Sequence, residues 1–369
     1  MKTNIDISLI KTQKYEKNIK NEEIKTQEIK NEDLKNEDIT KKTGKKRIKI
    51  YNFFSINESK ICNKISKIPN YFNYYNVVIQ NSFIKVGEMN ERVLEQLNII
   101  NTKNNDKYLL FEYNSNKNID FEDFLYNLPN PKLFLFHAVD SYNHLLNSLI
   151  TLKSNNICFF NLSSKNIVFG EDLKPLLENF EKSLLINNIA DETYFLSVVR
   201  EINDFTYKPI EIHLLFYIIA NNEDTLSYSL IEIICENYIE NMSILSFFSE
   251  NDRISYKTQC VDFLKKYINR PKKVIINDII LNYDKWDNYS LSVLYLHIFG
   301  NIIRAFSLKE TFINKILLYL IKNINPDPLK RDTLEKTLVY YNELFDNMTN
   351  WTFINSISQD KMNLLYEYL

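Results

Sequence analysis

Apolar positions change their spacing several times along the chain, and each change marks an element. From residue 1 to 46, Ile19, Ile24, Ile29, Leu34 and Ile39 recur every five residues inside units such as KNEDL and KNEDI. A period of five follows neither a helix face nor a strand face, so this low-complexity stretch is expected to be a disordered tail, solvated or partner-binding. From Arg47 the pattern turns globular. Ile48, Ile50 and Phe53 with Tyr51 predict a short strand. Ile61, Ile65 and Ile68 at helical spacing predict a helix from about Asn57 to the stop at Pro69. Aromatic and β-branched residues predict strands within 71–87 and over 107–113, with Val93, Leu94, Leu97 and Ile99 in a link between them. Beyond 118 helices dominate. Asp120–Leu128 reads as a short one. Leu133, Phe136, Val139, Tyr142, Leu146 and Leu149 predict a long one over Pro131–Leu152 with a buried face. Ile167–Phe169 and Pro175–Leu177 predict a hairpin. Helical spacing returns at Leu230–Met242, Val261–Ile268, Val274–Leu281, 289–304, Lys309–Ile324 and Thr333–Asp346. The fold class is α+β: a small β-containing part over 47–117, a large and mostly helical part over 118–350, and a segment 351–369 that Trp351 and Phe353 dock onto it.

Composition narrows the function. The 369 residues are 45% hydrophobic, enough for a sizeable core, and 45 basic against 47 acidic side chains leave a net charge of −2. No global basic field is available to hold nucleic acid. The run Lys41–Arg47 is a local basic cluster, readable as an import signal, an anion patch or a solvated surface. Cys62, Cys158, Cys235 and Cys260 are widely spaced, which predicts buried free thiols in a reducing compartment rather than zinc or disulfides. His137 and His144 have no third ligand nearby and are expected to be packing or surface histidines rather than metal ligands. No signal peptide and no clean membrane span is visible. The expectation is a soluble intracellular protein, in the cytoplasm of the cell or of an infected host, with no nucleic acid and no membrane among its partners.

The stretch Cys158–Leu184, CFFNLSSKNIVFGEDLKPLLENFEKSL, carries the candidate chemistry. Phe159-Phe160-Asn161-Leu162-Ser163-Ser164-Lys165-Asn166 stands over the catalytic-loop pattern His-Arg-Asp-Leu-Lys-x-x-Asn, and Asn179-Phe180-Glu181 stands over Asp-Phe-Gly. Eighteen positions separate Asn161 from Asn179, a normal separation for that pair of motifs. The chain therefore resembles the protein kinase superfamily, and is similar to kinase-like proteins of large DNA viruses. Further landmarks agree. Lys208-Pro209-Ile210-Glu211 loosely resembles the Ala-Pro-Glu segment, and Asp327–Arg331 resembles the late Asp-Pro-x-x-Arg, which implies a buried Glu211–Arg331 ion pair. Asp287 in Trp286–Leu291 resembles the F-helix residue that braces the catalytic-loop backbone. Lys49 and Glu58 resemble the pair that holds nucleotide phosphates, although exposed charges are an equal reading of these two residues.

The resemblance implies a two-lobed kinase-like fold with a truncated small lobe, because no glycine-rich loop and no β-patterned sequence precede Lys49. The hinge would run through Asn114–Asn118. The resemblance also implies lost chemistry. Asn161 stands at the base position, Ser163 at the loop Lys position, and Asn179 and Asn166 at the metal positions. Asn is a poor proton acceptor, and losing the base lowers a rate about 10²–10⁴-fold. Glu181 adds negative charge where a triphosphate would sit. No cofactor is expected; ATP and Mg²⁺ enter only if activity remains, with Glu178 as the alternative metal ligand. About seventy-five residues lie between Glu211 and Asp287, far more than the family needs, which predicts a helical insertion over about 215–283. That insertion is a packing element or, like the tail, a surface for a protein partner. The functional expectation is a pseudokinase-like binding or regulatory module. Its rivals are an atypical active serine/threonine kinase and a helical interaction protein with no kinase role.

Overall fold

The computed structural model describes residues 27–29, 46–85, 107–113, 118–305 and 312–346. The fold is mixed α+β, with short antiparallel sheets and a majority of helix. The chain divides into two units, one comprising residues 1–67 and 76–117 and the other 68–75 and 118–369. The hinge positions 114–117, Gly44, Gly87, the link at 93–99, and Trp351 with Phe353 lie outside the described residues.

The smaller unit holds a four-stranded antiparallel sheet. Its strands β1 (Gln27–Ile29), β2 (Lys46–Ile50), β3 (Val78–Lys85) and β4 (Lys107–Tyr113) run in the order β1-β2-β4-β3. Among the described residues one helix, α1 (Phe53–Ile65), accompanies them. Two expectations are corrected here. Strand-forming sequence does exist upstream of Lys49, since Gln27–Ile29, inside the periodic tail, pairs with β2. And the helix starts at Phe53, not Asn57. Asn52 caps it, its Oδ1 accepting from the N–H groups of Phe54 and Ser55 at 3.0 Å while Ser55 Oγ accepts from Asn52 N–H. That reciprocal cap satisfies donors that a helix start otherwise leaves open, and it takes Phe53 out of the strand. Ile48, Ile61, Cys62, Ile65 and Phe111 form the buried core.

The larger unit begins with Ile68–Tyr75, which contains a 3₁₀ turn at Tyr71–Asn73 where a strand was expected. The aromatic run suggested a strand, but Asn70 enters the left-handed region at φ 55° and redirects the chain. Contacts then fix the segment to this unit. Tyr75 Oη donates to the Ser148 carbonyl at 2.7 Å, Leu177 N–H donates to the Tyr74 carbonyl at 3.0 Å, and His144 Nε2 donates to the Asn73 carbonyl at 2.9 Å.

From residue 118 come β5 (Ile119–Asp120), α2 (Phe121–Tyr126) and the long α3 (Pro131–Ser154), capped by Asn130 with Pro131 in its first turn. The buried stripe of α3 includes Phe134, Leu135, Ala138, Tyr142, Leu146 and Leu149. Leu133 and Phe136, expected in that stripe, are exposed; Phe134 takes the inward place, against Tyr126 of α2. Next are β6 (Ile157–Cys158), the hairpin β7 (Ile167–Phe169) and β8 (Pro175–Leu177) in register Ile167 to Leu177, and β9 (Leu184–Leu185), which pairs with β6. The remaining helices are α4 (Glu192–Arg200), α5 (Ile210–Asn221), α6 (Tyr228–Asn241), α7 (Glu250–Leu264), α8 (Lys272–Ile280), α9 (Trp286–Ala305), α10 (Phe312–Asn323) and α11 (Leu334–Asp346). Residues 215–283 are thus helical, as their spacing suggests.

Candidate functional site

In the larger unit, the stretch between β6 and the β7–β8 hairpin is a tight loop whose polar side chains face one another. Asn166 sits at its centre, buried. Its Nδ2 donates to the Asn161 carbonyl at 2.6 Å and to Ser163 Oγ at 3.3 Å, while its Oδ1 accepts from Asn179 Nδ2 at 3.2 Å. The Asn166 amide thus ties together the backbone carbonyl of Asn161, the Ser163 hydroxyl and the Asn179 side chain, all of them neutral. Asn179 adopts φ 63°, a left-handed conformation that Asn tolerates better than most residues. Glu178, also buried, bonds Asn166 through the backbone, its N–H donating to the Asn166 carbonyl at 3.0 Å. Phe180 is fully buried between Tyr75 and Phe159, with ring centroids 6.2 and 5.3 Å away.

Beneath this loop lies a charged brace. Asp287, in the first turn of α9, accepts the backbone N–H of Phe159 at 2.8 Å and of Phe160 at 2.7 Å. It grips the two residues before Asn161. Burial raises its pKa, and the two N–H donors and Lys208 work against that rise. Lys208 completes the grip from the other side. Its ammonium donates to the Phe160 carbonyl and lies 4.6 Å from the centroid of the Phe160 ring. Burial pulls the Lys208 pKa down to about 8, and Asp287 opposes the fall. Phe160 is thus held at both its N–H and its C=O, in a left-handed backbone conformation (φ 59°) that costs a non-glycine residue roughly 1–2 kcal/mol. Cys158, next to this brace, is buried and its thiol pKa is pushed well up, first by burial and then by the Asp287 charge, so it is inert.

A second charged pair lies elsewhere in the same unit. Arg331 Nη1 donates to Glu211 Oε1 at 2.6 Å and Nη2 to Oε2 at 2.9 Å, a bidentate geometry in which both side chains are almost fully buried. Two further Arg331 donors go to the carbonyls of Asn325 and Pro326. The guanidinium lies 4.9 Å from the centroid of the Tyr289 ring. Tyr289 Oη is 2.5 Å from Tyr238 Oη of α6, which is 3.1 Å from Tyr256 Oη of α7, and Tyr256 donates to the Ile324 carbonyl at 2.7 Å.

In the smaller unit, Lys49 Nζ of β2 meets Glu58 Oε2 of α1 at 2.6 Å, and both are buried. The reading of these two as exposed surface charges is therefore wrong. Tyr113 Oη donates to the other Glu58 oxygen at 3.3 Å. The capped start of α1 sets the position of Glu58 on its inward face.

Mg²⁺ prefers anionic oxygen in octahedral array. The groups bonded to the Asn166 side chain are neutral, and its amide oxygen already accepts from Asn179. These residues do not fit that ion, and no step is derived through it. Among the described residues no group of three or more His, Cys, Asp or Glu is placed to hold a metal. Among them, too, no helix is long and apolar enough to cross a membrane. All four cysteines are buried and free.

Lys208 precedes Pro209–Glu211 in the sequence without any pattern that marks it as a brace. A lysine between Tyr207 and Pro209, just before an apolar helix, is the only hint of burial in the sequence. No protein-family model and no curated protein sequence matches the chain.

Proposed function

We propose that the chain is a degenerate member of the protein kinase superfamily, with a truncated small β lobe and a large helical lobe, that acts as a binding or regulatory module without transferring phosphate. The observation that carries this reading is the contrast around Asn161. The contacts that would brace a catalytic loop are made by charged groups, Asp287 and Lys208, whereas the positions that would do chemistry hold neutral side chains, of which Asn166 bonds both Asn179 and Ser163. Phosphoryl transfer relies on positioned charge at the reacting centre, and the Lys208 cation is spent on a backbone carbonyl. The Glu211–Arg331 pair supports the same reading and weighs against a helical interaction protein unrelated to kinases. The expected partner is a protein, met through residues 215–283 or the tail.

One observation favours a second reading. The buried Lys49–Glu58 pair has the geometry that a nucleotide-holding pair requires, which suits an atypical active serine/threonine kinase. The deciding experiment is thermal unfolding of the full chain with ATP, with and without Mg²⁺, alongside a γ-phosphate transfer assay. A ligand that binds only the folded state raises Tm. We expect no Mg²⁺-dependent rise and no transfer. A rise that needs Mg²⁺ and disappears in Glu178→Gln would favour the active-kinase reading instead.

A further inference from the structure

A cavity of about 500 Å³ lies in the larger unit, between the 3₁₀ turn Ser243–Phe247, α7, α9 and α10. Among the described residues its lining shares none with the loop around Asn166. Ile244, Leu296 and Leu317, all buried, form its floor, and Phe247 and Tyr256 add aromatic walls. One of these walls depends on a glycine. Gly300 is one of only four in the chain and stands inside α9, where glycine is the least favourable residue after proline. A methyl group there would come within 3.1 Å of three atoms of the Phe247 ring. The missing side chain lets that ring lie against the helix and line the cavity.

The lining also selects by size and charge. A helix is about 10–12 Å across with its side chains and is too large to enter, whereas small-molecule sites span about 300–1,000 Å³. The polar lining includes Ser255, Gln259 and Asn325, all neutral. Gln259 Nε2 donates to Ser255 Oγ at 3.4 Å, a long bond that a polar group on a ligand can replace. Asp252 also lines the cavity, and its carboxylate already accepts from Ser249 Oγ at 2.6 Å. Among the described residues no lysine, arginine or histidine lines it, so a buried anion would meet no counter-charge. We propose that this cavity is a binding site for a small uncharged aromatic molecule with a polar edge, its ring against Phe247 and Tyr256 and its hydroxyl or amide at Ser255 and Gln259. The site adjoins the buried ion pair, because Asn325 lines the cavity and its carbonyl accepts from Arg331 Nε at 2.5 Å. It does not depend on whether the chain transfers phosphate.

The test titrates the full chain with N-phenylnaphthylamine, a neutral probe that brightens on leaving water, and with anilinonaphthalene sulfonate, which adds a negative charge to the same rings. We expect one saturable site per chain for the neutral probe, competition by indole and a rise in Tm. The sulfonate should bind more weakly by at least about tenfold. Ser255→Trp, at an exposed lining position, should abolish the neutral probe's site and leave the urea midpoint unchanged. Gly300→Ala, which displaces the Phe247 ring, should weaken binding several-fold. Val339→Trp, exposed on α11 and outside the lining, should leave it intact. Absence of saturable binding, or binding that survives both Ser255→Trp and Gly300→Ala, would overturn the proposal. Sulfonate binding as tight as that of the neutral probe would overturn the uncharged class of ligand.

Discussion

Two neighbourhoods of the larger unit lie one layer apart and differ in kind. Under the loop, Asp287 and Lys208 are ionisable, buried and aimed at the backbone of Phe159 and Phe160. Within the loop, the side chains of Asn166 and Asn179 are neutral and aimed at each other, and Asn166 also holds the Asn161 carbonyl. Burying a charge is expensive unless it is paired and hydrogen-bonded. Charges therefore persist where partners are guaranteed by the fold, as for Asp287 and for Glu211 with Arg331. In the loop above, neutral side chains bond to one another and to the backbone instead.

That contrast makes the charged scaffold the costlier one to damage. The largest effect is expected at the ion pair: Arg331→Met leaves Glu211 buried without its partner and should lower unfolding free energy by about 3–5 kcal/mol in urea denaturation. Asp287→Asn comes next. It weakens two bonds from backbone N–H to a charged acceptor, each worth about 1.5–3 kcal/mol, and leaves the Lys208 ammonium without its counter-charge. The amide network should be cheaper: Asn166→Ala is expected to cost about 1–3 kcal/mol for the polar groups it strands. If Asn166→Ala proved more damaging than Arg331→Met, the distinction between the two neighbourhoods would collapse.

The pH dependence sharpens the comparison further. Lys208 has a depressed folded pKa, about 8 against 10.5 when unexposed to burial. Between those values the unfolded chain binds the proton and the folded chain does not, so this group's contribution to stability rises with pH across the window. It is fully present above 10.5 and lost as pH falls through 8. Buried tyrosines and thiols pull the other way at high pH, so the measurement is a difference. The stability of the wild type relative to Lys208→Met should rise from pH 8 to pH 10. The smallest effect is expected at His297, whose pKa burial lowers to about 4. Its contribution is present above the usual imidazole range and lost as pH falls through 4, so His297→Gln should flatten the acid limb of the stability curve.

Much of this arrangement is legible in the residue pattern. Hairpin register follows from two apolar triplets around Gly170–Lys174, and α3 follows from helical spacing behind Asn130 and Pro131. The Asn161–Asn179 separation, Asp287, and the Glu211–Arg331 contact are all readable by resemblance. What the pattern hides are choices made by tertiary contacts. Asn52 is a strong cap, but in a chain so rich in Asn it does not stand out. Tyr71–Tyr74 has the composition of a strand, and hydrogen bonds from His144 and Leu177 hold its carbonyls in a turn. Lys208 reads as a surface charge, because nothing local reveals that Phe160 will offer it both a carbonyl and a ring.

The hydroxyl chain from Tyr289 through Tyr238 to Tyr256 bears on how the molecule came to be. It runs from the aromatic ring against Arg331 into the stretch that holds α6 and α7. That stretch is therefore no ornament laid over a finished scaffold. A chain without α6 and α7 would have to close the surroundings of the ion pair with different side chains. Among descendants, Tyr238, Tyr256 and Tyr289 should be inherited, replaced or lost together.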